Sequence, residues 1–538
     1  MLLRLLASVA SLAGAYAVYE LLKLVYRELN SPLKHLPGPQ SAHWFYGNMR
    51  EIFKADNSVM HEKWVREFGP TLRYRAFFMQ RLYTVDTGAL NHFLVNSNIY
   101  QKPEEVRYTL GRMLGRGILV AEGEQHKQQR KVMNPAFGAP QIRELTEIFL
   151  EKSVELRDIW ANQVSDAGGS ARVDILSWLS KATLDVIGLA GFNYHFNNLS
   201  SEKSELGEAL ATLFRTGMSL NLLRILQNFV PALRLIPTTV DNTMNASQAT
   251  MKRIGRQLIQ DSKNEMAESG TFEKGVGRSR DLLSLLVRAN TSQDIPASQR
   301  LSDEDVLAQV PTFLVAGHET TSAATTWALY ALTQDLKAQT RLREELLAVP
   351  TESPTMDQLN DLPYLDCVVR ETLRIHAPVP STMRIATQDD IVPLATPFTD
   401  RHGKVHQTLR VVKGQTIMIP ILAMNRDPAI WGEDAMEFNP ERWESSSTSS
   451  NSLPGVWGHM LTFLGGPRAC IGYRFSLVEM KALLFTLVRA FEFELAVPAD
   501  DIRKKDECSP EAAFEERPRR RQSDAAHCKE AYPFLVSL

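Results

Sequence analysis

The chain has 538 residues, and its 60 lysines and arginines nearly balance 62 aspartates and glutamates, for a formal net charge of -2 at pH 7. That balance excludes the basic surplus of a nucleic-acid-binding protein, and the mixed composition is that of a globular chain with a sizeable core. Four cysteines (Cys367, Cys470, Cys508 and Cys528) form no C-x-x-C pair, which argues against a disulfide framework or a zinc site and fits a reducing compartment.

Residues 1–27 open the chain with an uncharged, largely apolar stretch from Leu5 to Tyr19, extended past Glu20 and Lys23 by further leucines and Val25. Fifteen uninterrupted residues fall short of the ~20 of a spanning helix, so a membrane anchor and a cleaved signal peptide are both open readings. Lys23, Arg27 and Lys34 follow the stretch while only Arg4 precedes it. This asymmetry favours a retained anchor with the downstream body in the cytoplasm. Residues 28–39 end in Leu36-Pro37-Gly38-Pro39, a stiff hinge. Sequons at Asn198, Asn245 and Asn290 matter only if the body faces a lumen.

Further along, two β-rich runs between Gly69 and Asp86 predict a hairpin. Thr146–Trp160 and Ile175–Leu189 have helical period. Leu220–Pro237 is rich in Leu, Ile, Phe and Val, and reads either as a core helix with a turn at Pro231 or as an apolar loop that dips into a bilayer. Gly275–Arg280 and the Ser/Thr tract Ser445–Ser452 are surface loops. Between Asp305 and Asp335 Glu319 alone carries a formal charge, but six threonines, Gln309, Pro311 and His318 are too polar for a lipid-facing span. The stretch predicts one long helix buried in protein, with Gly317 and Pro311 loosening its ladder. Tyr364–His376 predicts a helix stopped by Pro378. Ile391–Pro420 predicts strands with turns at His402-Gly403 and Lys413-Gly414, and Phe475–Phe491 a closing helix. The body is mainly α with a small β portion.

Phe463-Leu464-Gly465-Gly466-Pro467-Arg468-Ala469-Cys470-Ile471-Gly472 carries the most chemistry. A thiolate at a helix start is stabilised by the helix dipole and free N–H groups. Glycines allow close backbone approach to something flat, and an arginine offers a fork of donors to a carboxylate. A lone cysteine in a tight turn would ordinarily be a core thiol. The spacing F-x-x-G-x-R-x-C-x-G, however, closely resembles the heme-binding loop of the cytochrome P-450 heme-thiolate monooxygenases. A thiolate suits the axial position of heme iron, where its electron push favours O–O cleavage.

That resemblance implies the cytochrome P-450 fold, one large heme-enclosing domain over residues 40–538, and heme b (iron protoporphyrin IX) bound through Cys470, with Phe463, Gly466 and Arg468 in the loop. Ala316-Gly317-His318-Glu319-Thr320-Thr321 resembles the family's oxygen-activation motif, which implies that Thr320 holds dioxygen by hydrogen bond and Glu319 feeds it protons. A lone carboxylate there is costly unless paired or employed. Glu371 and Arg374, with Phe438-Asn439-Pro440-Glu441-Arg442-Trp443, resemble the E-x-x-R plus P-E-R-W triad, a buried ion network bracing the Cys470 loop. Arg384 fits a family position for a heme propionate. Arg130 matches the W-x-x-x-R element, with His126 where tryptophan is usual.

No G-x-G-x-x-G follows a strand, so electrons come from another protein, by resemblance an NADPH-cytochrome reductase. Lys127, Arg130 and Lys131 are candidates for a basic docking rim. The texture is similar to fungal microsomal, secondary-metabolism members, which implies an apolar terpenoid- or steroid-like substrate, dioxygen as co-substrate and an endoplasmic reticulum membrane location with a single-pass anchor. The rival classes are a heme-thiolate isomerase or dehydratase that does not use dioxygen, and a non-enzymatic heme sensor.

Overall fold

A computed structural model describes residues 2–77, 79–200, 204–217, 227, 233–234, 236, 238–268, 281–291, 300–444, 453–499 and 533–537. Most of Leu220–Pro237, all of Gly275–Arg280 and Ser445–Ser452, and Cys508 and Cys528 lie outside the described residues. Helices dominate, as the periodicity predicts. Ten strands are described: β1 (Thr71–Ala76), β2 (Met79–Thr84), β3 (Tyr100–Gln101), β4 (Ser170–Asp174), β5 (Thr382–Ala386), β6 (Asp390–Thr399), β7 (Val405–Val411), β8 (Thr416–Ile419), β9 (Glu492–Leu495) and β10 (Pro533–Ser537). The chain divides into two compact units, Met1–Pro103 with Ser381–Ala423, and Glu104–Pro380 with Met424–Leu538.

The first unit is built on a five-stranded sheet in the order β1-β2-β8-β5-β3, with β6 and β7 as a separate antiparallel pair. The expected hairpin is β1–β2, in which Thr71 faces Thr84 and their hydroxyls lie 2.9 Å apart. Gly403 (φ 80°) and Gly414 (φ 81°) supply the left-handed residues at the two expected turns. A 28-residue helix, Leu2–Leu29, leads in and is about 42 Å long at the usual rise per residue. Its end is tied to β2, where the Gln80 N–H donates to Glu28 Oε2 at 2.7 Å. Further back, Tyr16, Val18, Tyr19, Leu22, Val25 and Tyr26 are exposed. The proline-rich segment is docked, because Leu33 and Leu36 are buried and the Arg73 N–H donates to Pro37 O at 2.9 Å.

The second unit is a helical body with a three-stranded antiparallel sheet, β4-β10-β9. Both periodic stretches fold as read and run longer, as helices Ala139–Asp166 and Ile175–Phe192. Asp174 starts the latter by accepting from the Ser177 N–H at 3.1 Å, and Asn193 ends it in the left-handed region. Ile175–Phe192 is long and apolar enough to cross a membrane, but 61 % of it is buried inside the protein, so it is a core helix.

That core helix packs against Gln309–Gln334, the long helix expected from Asp305 onward. The expected single element is divided: a Ser302–Asp305 capping box starts the short helix Asp303–Leu307, and the long one begins after Ala308. Pro311 falls in its first turn, where N–H groups lack intrahelical partners, so it does not loosen the ladder. Gly317 is also explained by packing. A Cβ there would stand 2.9 Å from Ile187 Cγ1, so the glycine admits the neighbouring helix. Thr183 Oγ1 adds a hydrogen bond to His318 O across this contact, at 3.0 Å.

Candidate functional site

Cys470 ends a loop folded tightly on itself. Its N–H donates to Phe463 O at 2.9 Å, and Val456 N–H donates to Leu464 O at 2.9 Å. Leu464 (φ 55°) and Gly466 (φ 67°) turn the backbone through the left-handed region. Gly465 presses so close to Pro454 that a Cβ would lie 1.6 Å from Pro454 O. The Phe463 ring meets Trp457 at 5.8 Å and Tyr473 at 6.0 Å between centroids. The closing helix, Tyr473–Ala490, follows at once.

The Cys470 side chain carries accessible surface, yet protein packs around it closely enough that burial raises its thiol above the ordinary value. Cys470 is therefore open to solvent and at the same time flanked by protein. A Gly472 N–H and the Arg130 charge oppose the rise but do not win. The helix start alone therefore does not make the thiolate, whereas a bonded metal cation would.

Guanidinium groups gather at this loop. Arg130, on helix Gly123–Met133, donates from Nη1 to Ala469 O at 2.6 Å and from Nε to Asn134 Oδ1 at 2.9 Å. His126, one turn earlier on the same face, is buried. Arg468 donates from Nη1 to Ala121 O at 2.7 Å and pairs through Nη2 with Glu122. Burial, and then the charge of Arg107, lower the Arg468 pKa to about 10. Arg107 lies on helix Glu104–Leu114, and its buried Nε has no partner among the described residues. Lys127, expected in a docking rim, pairs with Glu124 at 2.6 Å. Arg384 belongs to the first unit, on β5. It is buried, donates to Thr382 Oγ1 at 3.0 Å and Met383 O at 2.8 Å, and burial lowers it to about 10.

On the long helix, Thr320 Oγ1 donates to Ala316 O at 2.8 Å. Glu319 corrects one expectation: its side chain is 44 % exposed, so it escapes the desolvation cost that made it conspicuous in the sequence. Its neighbour His318 is buried, which lowers its pKa and keeps it neutral, with Nδ1 donating to Leu314 O at 2.6 Å. Hydroxyls of Thr325 and Thr326 bond back one turn as expected, yet the helix runs unbroken.

The ion network forms as the motif pattern implies. Glu371 and Arg374, both fully buried on helix Pro363–Ile375, pair through two bonds of 2.6 and 2.9 Å. Arg442 Nε approaches Glu371 at 3.4 Å, and Trp443 Nε1 donates to it at 2.9 Å. Arg374 also donates to the carbonyls of Asn425 (2.9 Å), Ala435 (2.6 Å) and Glu437 (3.0 Å). Asn425 passes the constraint on. Its Oδ1 accepts from Leu461 N–H at 2.9 Å and its Nδ2 donates to Thr462 Oγ1 at 2.7 Å, next to Phe463.

The sequence pattern of the family described as cytochrome P-450 matches residues 37–519. This chain belongs to the cytochrome P-450 family. It is 56 % identical over 507 residues to cytochrome P-450 monooxygenase 205 of Postia placenta, covering 93 % of each chain. With monooxygenase 128 of the same fungus it shares 54 % over 500 residues, 91 % of each chain. With cytochrome P-450 monooxygenase claP of Ampulloclitocybe clavipes it shares 35 % over 484 residues, 88 % of each.

Membership of the cytochrome P-450 family implies a heme, and the residues fit one. The Cys470 thiol is accessible, Arg130 and Arg468 bond to its loop and to the neighbouring Ala121, and Arg107 acts on Arg468. Among these three cations Glu122 is the carboxylate paired with Arg468, a surplus suited to a ligand with acid groups. Sequence reasoning missed Arg107, Glu122, Asn425 and Glu479. Glu479 is a buried carboxyl on the closing helix with no well-formed hydrogen bond. Its position in an apolar run was the available signal; Arg107 and Asn425 gave none.

Proposed function

We propose that this cytochrome P-450 is a monooxygenase that binds heme b through Cys470 and inserts one atom of dioxygen into an apolar, terpenoid- or steroid-like substrate, using electrons from an NADPH-cytochrome reductase. The observation that carries the reading is the accessible Cys470 thiol at the end of a tightly folded loop of the heme-thiolate pattern. The names of the fungal relatives support the reaction class. Bound heme supplies the redox-active iron at which dioxygen is reduced and one oxygen atom is transferred.

The chain's own groups do the rest. Arg374, Glu371 and Asn425 hold the loop from behind, and the Gly472 N–H and Arg130 favour negative charge on sulfur. Arg107, Arg130 and Arg468 receive the acid groups of the ligand. Thr320 spends its hydroxyl proton on Ala316 O, which leaves its lone pairs to accept a hydrogen bond from an incoming donor. Glu319 is open enough to solvent to take a proton from water on its carboxylate and release it toward Thr320. Helix Leu2–Leu29, with its exposed Tyr, Val and Leu side chains, anchors the protein to the endoplasmic reticulum membrane.

Reduction of the purified protein under carbon monoxide tests the ligand: wild type gives the red-displaced Soret band of thiolate ligation, and Cys470→Ser does not. With reductase and NADPH present, Thr320→Ala consumes NADPH while product per NADPH falls. An identical band from Cys470→Ser, or full coupling in Thr320→Ala, overturns the assignment of that residue. A panel of terpenoids and steroids that neither shift the spectrum nor are oxidised overturns the substrate class.

A further inference from the structure

Glu122 occupies the N-cap position of helix Gly123–Met133, but its side chain does not cap the helix. The carboxylate turns instead to Arg468, and both side chains are only 6 % exposed. A buried ion pair of this kind contributes little to stability, since desolvation offsets the attraction, so its position is the more telling feature. It stands beside the Cys470 loop, where Arg468 also holds Ala121 O and Arg130 holds Ala469 O. Arg107 acts on Arg468 with a like charge, and its own Nε is buried without a partner among the described residues. Arg130 and Arg468 thus bond at the Cys470 loop, on the side where acid groups of a bound heme would be received, and the carboxylate of Glu122 is fixed against one of them.

We propose that Glu122 is a charge-setting positioning residue: it fixes the Arg468 guanidinium and lowers the reduction potential of the bound iron below the value that the cations alone would impose. The inference rests on the heme-thiolate reading above. Reduction adds one electron to the heme and one negative charge to the site. A carboxylate withdrawn from water opposes that added charge, with little screening by solvent or salt. Loss of the carboxylate therefore favours the reduced state, and loss of a cation favours the oxidised one.

Spectroelectrochemical titration of the purified, heme-loaded protein reads the effect directly. Glu122→Gln keeps the volume and an oxygen that accepts from Arg468 but removes the charge, so its midpoint moves to a more positive potential, and the shift persists at high salt. Glu122→Asp keeps the charge and stays near wild type, and Arg107→Gln shifts in the opposite direction. An unmoved midpoint in Glu122→Gln, or shifts of the same sign in Glu122→Gln and Arg107→Gln, overturns the proposal. Glu122→Met is a second neutral variant read the same way. Failure of both neutral variants to hold heme, while Glu122→Asp holds it, assigns the pair a purely structural role and also overturns the proposal. The carbon monoxide band of the wild type is recorded alongside. Its absence would sink the heme-thiolate reading, which is a separate outcome from an unmoved midpoint.

Discussion

Gly465→Ala separates loop geometry from chemistry, because it adds one methyl group and no charge. The backbone at this residue is extended (φ -140°, ψ 176°), so alanine meets no conformational penalty there and the whole effect is steric. The new Cβ would lie 1.6 Å from Pro454 O and 2.8 Å from Pro454 C, where ordinary contact is 3.4–4 Å. The two arms of the loop must part by about 2 Å, and overpacking of this kind costs about 1–3 kcal/mol before any bond is lost. Two backbone bonds stand in the way, Val456 N–H to Leu464 O and Cys470 N–H to Phe463 O, each worth about 1 kcal/mol. A total near 4 kcal/mol is enough to open the loop locally, a thousandfold change at about 1.4 kcal/mol per decade. The assay is heme per protein together with the carbon monoxide difference spectrum of the reduced protein. Gly465→Ala loses most of the red-displaced band, while Gly191→Ala, in the core helix Ile175–Phe192 with Ile187 Cδ1 at 3.4 Å as its nearest neighbour, keeps it. Equal heme content and equal bands in the two variants would refute the reasoning.

Three further outcomes follow from other parts of the molecule. Glu371→Ala leaves the fully buried Arg374 without its carboxylate, which costs about 3–5 kcal/mol, so heme-loaded yield and thermal midpoint both fall sharply. Burial drives the Glu479 carboxyl well above the ordinary range, and Thr321 offsets this only in part. A carboxyl raised in the fold contributes stability that is fully present below its unfolded pKa and lost as pH rises, so Glu479→Met gains about 1–2 kcal/mol in neutral buffer and little below about pH 4, read by denaturant midpoint. Burial works to raise Asp366 as well, but Lys481 and Arg370 outweigh it and hold the carboxyl below its usual value. Its contribution is therefore present above the unfolded pKa of about 4 and disappears as pH falls through the lowered one. Asp366→Asn is less stable than wild type at neutral pH by about 1–3 kcal/mol, and that gap closes in acid.

Local chemistry made much of this fold legible in the sequence. The hairpin at Thr71–Thr84 was written in β-rich runs on either side of a turn, and the Ile175 and Thr146 helices in their apolar period. The Cys470 loop could be read because a turn built from glycines at fixed spacing has few alternative meanings. The Glu371–Arg374 pair became readable only with Pro440–Trp443, since two charges one turn apart on a helix otherwise mark a surface. What stayed hidden depends on neighbours far away in the chain. Gly317 looked like a weak point in the helical ladder until Ile187 was found against it. Glu319 looked buried because it is the one charged residue of a long stretch expected inside the protein, but its side chain is open to solvent. Glu122 could not be matched to Arg468 across 346 positions by any local pattern, and the break after Ala308 depends on a capping box that short periodic windows pass over.

The segment that holds Arg130 and Glu122 meets the segment that holds Cys470 and Arg468 across about 340 residues of intervening chain. Contacts so remote are among the slowest to form, because a large loop must close before they yield anything. By loop closure alone, the meeting of these two segments belongs to the slow part of assembly. On the proposed reading, a ligand that bridges both segments favours their meeting by binding the folded state, so expression in a heme-starved host is expected to accumulate apoprotein.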